Sequence, residues 1–283
     1  MISLKKLKQK LSKRENYRFH FSRIFTIAEK QIKLHLRFKF NFVYSIINPF
    51  LTIFLSLIIL SRFFEMGTRF GRWDESNYYI FLFIAYNIEL LRKIITDFPS
   101  EFRQEKFWKT LPALMIAPFN KLHLLFGIFI SHLFIIAIPF AIFLAISYFV
   151  YPISFFTLII VIAIYLLIDL IFSGIGLLLG VFAISLEGSW RILAIGVNVF
   201  FWFSCVTYPF EVFPWFIQMV ISLNPLYYIF DILRITWLDD NIFLTMTNYP
   251  LHFLILIGTA ILTPLMAMYV FNKVYTKFGV VGY

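Results

Sequence analysis

Residues 122–150 read LHLLFGIFISHLFIIAIPFAIFLAISYFV, and residues 154–182 read SFFTLIIVIAIYLLIDLIFSGIGLLLGVF. Asp169 is the only Asp, Glu, Lys or Arg in the two runs. The hydrocarbon core of a bilayer is about 30 Å thick, and a helix needs about 20 apolar residues to cross it. Each run exceeds that length, so the pair predicts two transmembrane helices.

Further apolar runs lie on both sides of this pair. In chain order the expected spans are 42–61, 77–95, 122–150, 154–182, 192–206 and 250–271. The chain of 283 residues is 61% hydrophobic and only 14% charged, which excludes an ordinary soluble domain. We therefore expect an all-α polytopic membrane protein, with a six-span domain over residues 42–283 and a basic arm over residues 1–41.

The basic residues orient these spans. If the N-terminus is cytoplasmic, the inner segments hold 21 of the 25 Lys and Arg residues and the outer segments hold 4. Because cytoplasmic loops carry an excess of Lys and Arg, this distribution favours an even number of spans with both termini inside. The composition is rich in Lys, Ile and Phe and poor in Ala, which is typical of an AT-rich prokaryotic genome. We therefore expect a multi-pass protein of the prokaryotic inner membrane.

The arm carries twelve Lys and Arg residues and two acids, and it abuts the first span. Anionic lipid headgroups are therefore its expected partner, and nucleic acid is not. Its pattern is that of an amphipathic helix in the interface plane. One face holds Phe21, Ile24, Phe25, Ala28 and Ile32, and the opposite face holds Arg23, Lys30, Lys33 and Arg37. The helix is either a simple anchor or a gate helix that guards access from the inner leaflet.

The longest cytoplasmic loop is expected at residues 97–120, DFPSEFRQEKFWKTLPALMIAPFN. It mixes charges with aromatic residues, and exposed aromatic residues need something to cover them. Either lipid headgroups cover them or a protein partner docks here, since Arg and aromatic residues are enriched at protein interfaces. The candidate docking residues are Glu101, Phe102, Arg103, Glu105, Lys106, Phe107 and Trp108.

The segment after span five contains two apolar pieces, 215–223 and 226–233, separated by Asn224 and Pro225. Neither piece is long enough to span, and prolines fix bends around them. We expect two short helices within residues 207–236, which either lie on the outer surface or dip into the membrane to line a pathway or an outer gate. The candidate pathway residues are Trp202, Tyr208, Pro209, Glu211, Pro214, Asn224 and Pro225.

Charged residues also occur inside the expected spans. Asp169 lies in the middle of span four, where a carboxyl group acts as a proton or substrate site, is protonated, or bonds to a hydroxyl of a neighbouring helix. Glu89 lies three residues before Arg92 and four before Lys93. This spacing favours a structural ion pair near the interface.

Small residues in span four form a second pattern. Gly176 and Gly180 make a G-x-x-x-G motif, and Gly174 lies nearby. The motif favours close packing of membrane helices. We interpret it as a packing signal.

Three segments together resemble the ABC-2 family of exporter membrane subunits. They are the loop KTLPALMIAPFNKLHLLFG over Lys109–Gly127, the segment Pro209–Arg234 with its Pro-x-Glu-x-x-Pro start, and the basic arm that runs into Asn48 and Pro49. The family often has Gly-Thr-Leu-Glu where this chain has Lys-Thr-Leu-Pro. The helix in this loop is therefore expected to break earlier here.

The resemblance implies six spans per subunit, a homodimer, and two copies of a separate cytoplasmic ATPase that dock on the loop between spans two and three. It also implies that the arm is a gate helix and that the helices after span five close the outer end. Members of the family export lipid-linked polysaccharides, teichoic acids, lipo-oligosaccharides or hydrophobic drugs. A lipid-linked glycan is the favoured substrate because the outer aromatic residues could stack on sugar rings, and a small hydrophobic drug is the alternative.

The sequence contains no G-x-x-x-x-G-K-[ST] phosphate loop. The chain is therefore not expected to be an enzyme by itself, and ATP and Mg²⁺ would be bound by the partner ATPase. The five histidines show no metal-ligand spacing, and a single cysteine provides no Cys pair for zinc.

Two other functional classes compete with the exporter. An ion-coupled secondary transporter centred on Asp169 would show inverted internal repeats, and the two halves of the sequence show no convincing repeat. A membrane enzyme would need a cluster of carboxylates or histidines at one membrane face, and none stands out in the sequence.

Overall fold

The computed structural model describes residues 4–37, 39–107, 109, 121–185 and 189–278. Within these ranges the chain forms helices joined by turns, with one isolated β-bridge between Phe70 and Trp73. The α-helices are α1 (Leu4–Arg37), α2 (Lys39–Glu65), α3 (Tyr78–Arg92), α4 (Ile94–Phe107), α5 (Lys121–Val150), α6 (Phe155–Ser185), α7 (Ser189–Trp202), α8 (Trp215–Ser222), α9 (Pro225–Asp239), α10 (Ile242–Asn248) and α11 (Pro250–Phe278). The predicted all-α class is confirmed for this part of the chain.

Four described helices are long and apolar enough to cross a membrane, namely α2 over Ile47–Glu65, α5, α6 and α11. They correspond to the expected spans one, three, four and six. The bent pair α8 and α9 makes a fifth if the two helices form one span. Helices α3 and α7 have only 15 and 14 residues. At 1.5 Å per residue they are about 22 and 21 Å long, less than the hydrocarbon core. The expected six spans are therefore not confirmed.

Both short helices end at identifiable places. α3 stops at Arg92, and the chain continues after Lys93 as α4, so the apolar run 77–95 is divided between two helices. α7 stops at Trp202, and Cys205 in the following turn has a φ of 56°. This left-handed conformation does not continue a helix. Span five is therefore shorter than the apolar run 192–206 predicted.

Helix α3 lies at the centre of the bundle. It packs against α2, α5 and α6, and eleven of its 15 residues are buried. A helix that is apolar on all sides belongs in such an interior. Protein surrounds α3 on most sides, which is compatible with its short length.

Helix α6 approaches two neighbours closely because glycines lie at the contacts. A Cβ atom on Gly176 would stand 2.8 Å from the carbonyl oxygen of Ile94 in α4, and one on Gly180 would overlap the Phe102 ring. On another face, a Cβ atom on Gly174 would stand 2.8 Å from the backbone of α11. The predicted packing role of the G-x-x-x-G motif is confirmed.

Helix α1 packs along α5. Ile27 lies so close to Gly127 that a Cβ atom there would stand 2.6 Å from its side chain, and Ala28 and Gln31 are also buried. Phe21 and Phe25 are 59% and 58% exposed. The predicted apolar face is thus divided, because one strip contacts α5 and the large rings remain available to lipid.

Replacing Gly176 with alanine is expected to destabilise the protein, because the new methyl group collides with the backbone of α4. Overpacking of this kind costs about 1–3 kcal/mol, which lowers the apparent Tm by several degrees. Gly196 is the matched control, since nothing lies within 4 Å of a Cβ atom there. Gly196→Ala should be neutral or stabilising through its helix propensity. Thermal unfolding of detergent-purified protein checks this, and equal Tm values for the two variants would contradict the close contact.

Candidate functional site

A polar cavity of about 580 Å³ opens among α1, α2, α3 and α4. In the orientation expected from the basic residues it faces the cytoplasm, and we call it the inner cavity. The arm contributes Gln31 and His35, and α2 contributes Asn48 and Thr52. The charged lining residues come from the end of α3 and from α4, namely Glu89, Arg92, Lys93, Asp97 and Glu101. The fold therefore places the arm beside the charged residues of α3 and α4, which the sequence pattern did not connect with the arm.

Arg92 ties α3 to α7 beside this cavity. Its Nη1 atom donates to the two Glu89 carboxylate oxygens at 3.0 and 3.1 Å. Its Nη2 atom donates to Asn198 Oδ1 in α7. The guanidinium also lies over the Phe201 ring, 4.4 Å from the ring centroid. The predicted Glu89–Arg92 ion pair is confirmed, and Asn198 is a further partner that the sequence did not indicate.

His35 faces the inner cavity from the arm. Burial lowers the pKa of His35 below its usual value, and Lys93 and His132 act in the same direction, against Asp97 and the Gln31 carbonyl. The imidazole is therefore neutral at pH 7 and takes up a proton only at lower pH. A neutral histidine beside a carboxylate can accept a proton from the cytoplasmic side.

Asp169 and His132 form a buried pair between α6 and α5. Asp169 Oδ1 lies 3.1 Å from His132 Nδ1, and the two side chains are 0% and 2% exposed. The pair lies outside the linings of the inner cavity and of the outer cavity described below. The partner is a histidine ring and not the helix hydroxyl that was one prediction for Asp169. A protonated carboxyl and a proton or substrate site stay predictions.

The predicted docking residues take different positions. Phe107 ends α4 with 83% of its surface exposed, and Arg103 is also exposed. Glu101 lines the inner cavity. Phe102 is buried against Gly180 and Phe271, so its ring contributes to the core. The side chains of Glu105 and Lys106 lie outside the described part of the structure, as do Trp108 and residues 110–120.

A second cavity of about 340 Å³ lies at the opposite end of α3. We call it the outer cavity. It is enclosed by the turn before α3, the segment after α7, helix α9 and the start of α11. Its charged and titratable lining includes Arg72, Glu211, Asp231, Arg234 and His252. Asp231 Oδ2 lies 3.3 Å from His252 Nε2.

Arg234 forms the inner wall of the outer cavity. Nη1 donates to the Cys205 carbonyl at 2.8 Å, and Nη2 donates to the Val206 carbonyl at 2.6 Å. The guanidinium carbon lies 3.8 Å from the centroid of the Phe81 ring. The residue is only 2% exposed. A cation this deep needs such partners, because its desolvation is costly.

Asn224 holds the junction between α8 and α9, which meet at a bend of 93°. Its Nδ2 atom donates to the carbonyls of Phe200 and Phe203 at 2.7 and 2.9 Å, and its Oδ1 atom accepts from the Leu226 amide at 3.0 Å. Pro225 occupies the first position of α9, where no amide donor is needed. The predicted break at Asn224 and Pro225 is confirmed. The re-entrant placement of the pair stays a prediction.

The other predicted outer residues lie around this junction. Trp202 is 72% exposed at the end of α7, Tyr208 is half-buried, and Pro209 is buried. Glu211 is exposed and rests on Gly71, where a Cβ atom would overlap its carboxylate. Pro214 immediately precedes α8.

The second outer helix is longer than predicted. α9 continues through Arg234 and the buried Trp237 to Asp239, three residues beyond the segment 207–236 in which it was expected. The reason is that Arg234 finds carbonyl partners and Trp237 Nε1 donates to the Tyr151 carbonyl at 3.2 Å. These polar groups remain in the helix because the fold satisfies them.

Sequence reasoning did not select three residues that the structure places at functional positions. His132 was one of five histidines without metal spacing, and His252 was assigned no role. Arg234 was counted as an outer basic residue and as the end of one segment that resembles the ABC-2 family. A signal was present for His132, which lies in a run without other charge. No local pattern pairs Arg234 with the carbonyls of Cys205 and Val206.

A sequence model of the ABC-2 type transporter family matches residues 22–238 of the chain. The match extends from the second half of α1 to the end of α9, which is well over half of the 283 residues. No curated protein matches the chain significantly. The matched range includes both cavities except for the contribution of α11 to the outer one.

Replacing Asn224 with aspartate is expected to loosen the junction between α7 and α9. Aspartate keeps the oxygen that caps α9, but it loses both donors to the α7 carbonyls and sets a carboxylate against them. Leaving buried hydrogen-bonding groups unpaired costs about 1–3 kcal/mol each. Thermal unfolding and limited proteolysis should show a lower Tm and faster cleavage near residues 203–224.

Asn241→Asp is the matched control for this experiment. Asn241 also caps a helix, accepting from the Leu244 amide at 3.2 Å, and it is exposed. Aspartate keeps that cap, so the Tm should not change. Equal Tm values for the two aspartate variants would contradict the role of the Asn224 donors.

Proposed function

Because the chain belongs to the ABC-2 type transporter family, we propose that it is the permease subunit of an ATP-driven exporter in a prokaryotic inner membrane. It has both termini in the cytoplasm, and it moves an amphipathic or lipid-linked substrate outward. The observation that carries the proposal is the family match over residues 22–238. The arrangement of charged and aromatic groups at two cavities supports it.

The driving force comes from two copies of a separate cytoplasmic ATPase, which bind ATP and Mg²⁺. The sequence has no phosphate loop of its own. The end of α4 is the proposed docking site. Its support is the Phe107 ring, which stands exposed although the preceding aromatic residues of α4, Phe98 and Phe102, are buried.

A second copy of the chain completes the permease as a homodimer. The support is the exposure of α7, whose main neighbour within the described chain is α6. Ile192, Ile195 and Trp202 leave 73%, 63% and 72% of their surfaces uncovered. An apolar helix with so few neighbours in its own subunit is suited to pack against another subunit or lipid.

The favoured substrate is a lipid-linked glycan. The inner cavity is lined by amide, hydroxyl and charged groups under the gate helix α1, which suits a polar headgroup whose lipid tail stays in the membrane. Near the outer end, Trp202 and Tyr208 offer aromatic faces for sugar rings. A small hydrophobic drug is the alternative, although drug-sized sites are usually lined by apolar side chains.

A second candidate function is ion-coupled secondary transport through Asp169. One observation favours it, namely the enclosure of the Asp169–His132 pair inside the subunit. An ion-coupled transporter would work without the ATPase. Transport by the purified chain alone, driven by an ion gradient, would favour this candidate over the exporter.

Replacing Phe107 with alanine is expected to weaken co-purification with the partner ATPase. Truncating an interface anchor typically costs more than 1 kcal/mol, and 1.4 kcal/mol is about tenfold in Kd. The isolated chain should hydrolyse no ATP. Phe149 is a matched control, because it is 80% exposed near the C-terminal end of α5, far from the end of α4 along the chain. Phe149→Ala should leave the ATPase affinity unchanged, and an unchanged affinity in Phe107→Ala would exclude this docking site.

The substrate class can be read from the ATPase activity of the assembled complex in nanodiscs. A polyprenyl-linked saccharide is expected to stimulate hydrolysis, because it brings a polar headgroup to the inner cavity. The same polyprenyl phosphate without sugar is the control and should stimulate less. Stimulation by hydrophobic drugs and not by the saccharide would replace the glycan with the drug alternative.

A further inference from the structure

Seven buried polar atoms without a hydrogen-bond partner lie in one part of the subunit. Only eight such side-chain atoms occur in the described part of the chain. The seven belong to six residues on α3, α5, α6, α9 and α11. They are both amide atoms of Asn87, His132 Nε2, the Tyr165 hydroxyl, Asp169 Oδ2, Arg234 Nε and His252 Nδ1.

These residues form a file of polar groups between the two cavities. At the inner end, His35 lines the inner cavity and interacts electrostatically with Asp97 and His132. His132 then contacts Asp169 at 3.1 Å. Tyr165 lies four residues before Asp169 on α6, which is about 6 Å along a helix.

The outer half of the file continues from Tyr165. Its hydroxyl interacts with the Asn87 amide and with the Arg234 guanidinium. Arg234 interacts with Asp231. Asp231 contacts His252 at 3.3 Å, and both line the outer cavity.

A purely structural polar network would satisfy its members from within the protein. Buried polar groups almost always have partners, and a partly satisfied network in a low-dielectric interior is costly. The Asn87 amide and the Tyr165 hydroxyl are within range of each other but do not form a well-aligned hydrogen bond. Water molecules in the file would supply the missing partners. Hydrated chains of Asp, His and Tyr side chains inside membrane proteins are suited to move protons.

Arg234 interrupts the file near its outer end. Its charge is fixed by two carbonyls and by the Phe81 ring. A fixed cation in a narrow polar path opposes the passage of protons. In this conformation Arg234 therefore blocks the file toward the outer cavity.

We propose that each subunit carries protons between the inner and outer cavities along this file, with Asp169 and His132 as the proton-binding site and Arg234 as a movable barrier. The barrier opens when α9, one arm of the bent helix pair, shifts. Each proton taken up at one cavity is released at the other, so no group is consumed. The gradient across the membrane sets the direction.

The pH response of the binding site depends on the groups around it. His35 faces it from α1 and Asp97 from α4. Tyr165 lies one turn away on α6 itself and interacts with Arg234 of α9. Lys93 interacts electrostatically with His35 and so affects the proton-binding site indirectly. The proposal rests on the membrane location of the chain and is independent of its ATPase and its substrate.

Proton flux into liposomes tests the barrier. The full chain is reconstituted with a pH-sensitive dye inside, and a potassium gradient with valinomycin drives protons. The wild-type chain should be nearly proton-tight. Arg234→Gln keeps a donor for the carbonyls but removes the charge, so its proton leak should rise above that of the wild type. The double variant Arg234→Gln with Asp169→Asn should lose that leak.

Arg72→Gln is the matched control, because Arg72 lines the same outer cavity but is not part of the file. It should remain as tight as the wild type. An Arg234→Gln leak no greater than that of Arg72→Gln would overturn the proposal. A leak that survives Asp169→Asn would overturn it as well.

A second measurement does not depend on the folding of the Arg234 variant. Infrared difference spectra of the wild-type chain between acidic and alkaline pH should contain a protonated carboxyl band that shifts in heavy water. Asp169→Asn, which is nearly isosteric, should lose this band, and His132→Gln should shift its pH midpoint. Spectra of the wild type and Asp169→Asn that agree at every pH would refute proton binding at this site. Failure of the chain to bind an ATPase would refute the exporter but would leave both results unaffected.

Discussion

The need to satisfy polar groups away from water governs the described structure. In hydrocarbon an unpaired backbone carbonyl or a lone charge costs several kcal/mol. The chain breaks its helices at a few places, and at the break after α7 two polar side chains bind the freed carbonyls. Asn224 bonds two carbonyls at the end of α7, and Arg234 bonds the next two. The irregular segment after α7 is possible because these two side chains replace its helical hydrogen bonds.

Close packing of helices is the second condition. α6 carries glycines on two faces, and each allows a neighbouring backbone to approach within a distance that any side chain would prevent. α4 and α11 occupy these faces, and α3 lies between α6 and α2. The inner cavity and the buried pair Asp169–His132 are therefore built on a rigid framework. Sites on rigid elements hold their geometry better than sites on loops.

The sequence was sufficient for features that depend on local pattern. Spans one, three, four and six follow from apolar length, the Glu89–Arg92 pair from helical spacing, and the break at Asn224 from its proline. The sequence was not sufficient to predict features that depend on contacts between helices distant in the chain. The apolar run of span two is divided because protein surrounds α3, and Phe102 is buried because a distant glycine receives its ring. The inner cavity combines His35, Asn48 and Asp97 from three separate helices, and no spacing in the sequence brings them together.

The contact of Arg92 with both Glu89 and Asn198 has a mechanical consequence. One guanidinium joins the end of α3, beside the inner cavity, to α7, which leads to the outer cavity. A displacement of α3 must therefore either move α7 with it or break the hydrogen bond between Arg92 and Asn198. If a partner displaces α4, the Arg92 side chain transmits the movement from α3 to α7, and so to the outer cavity.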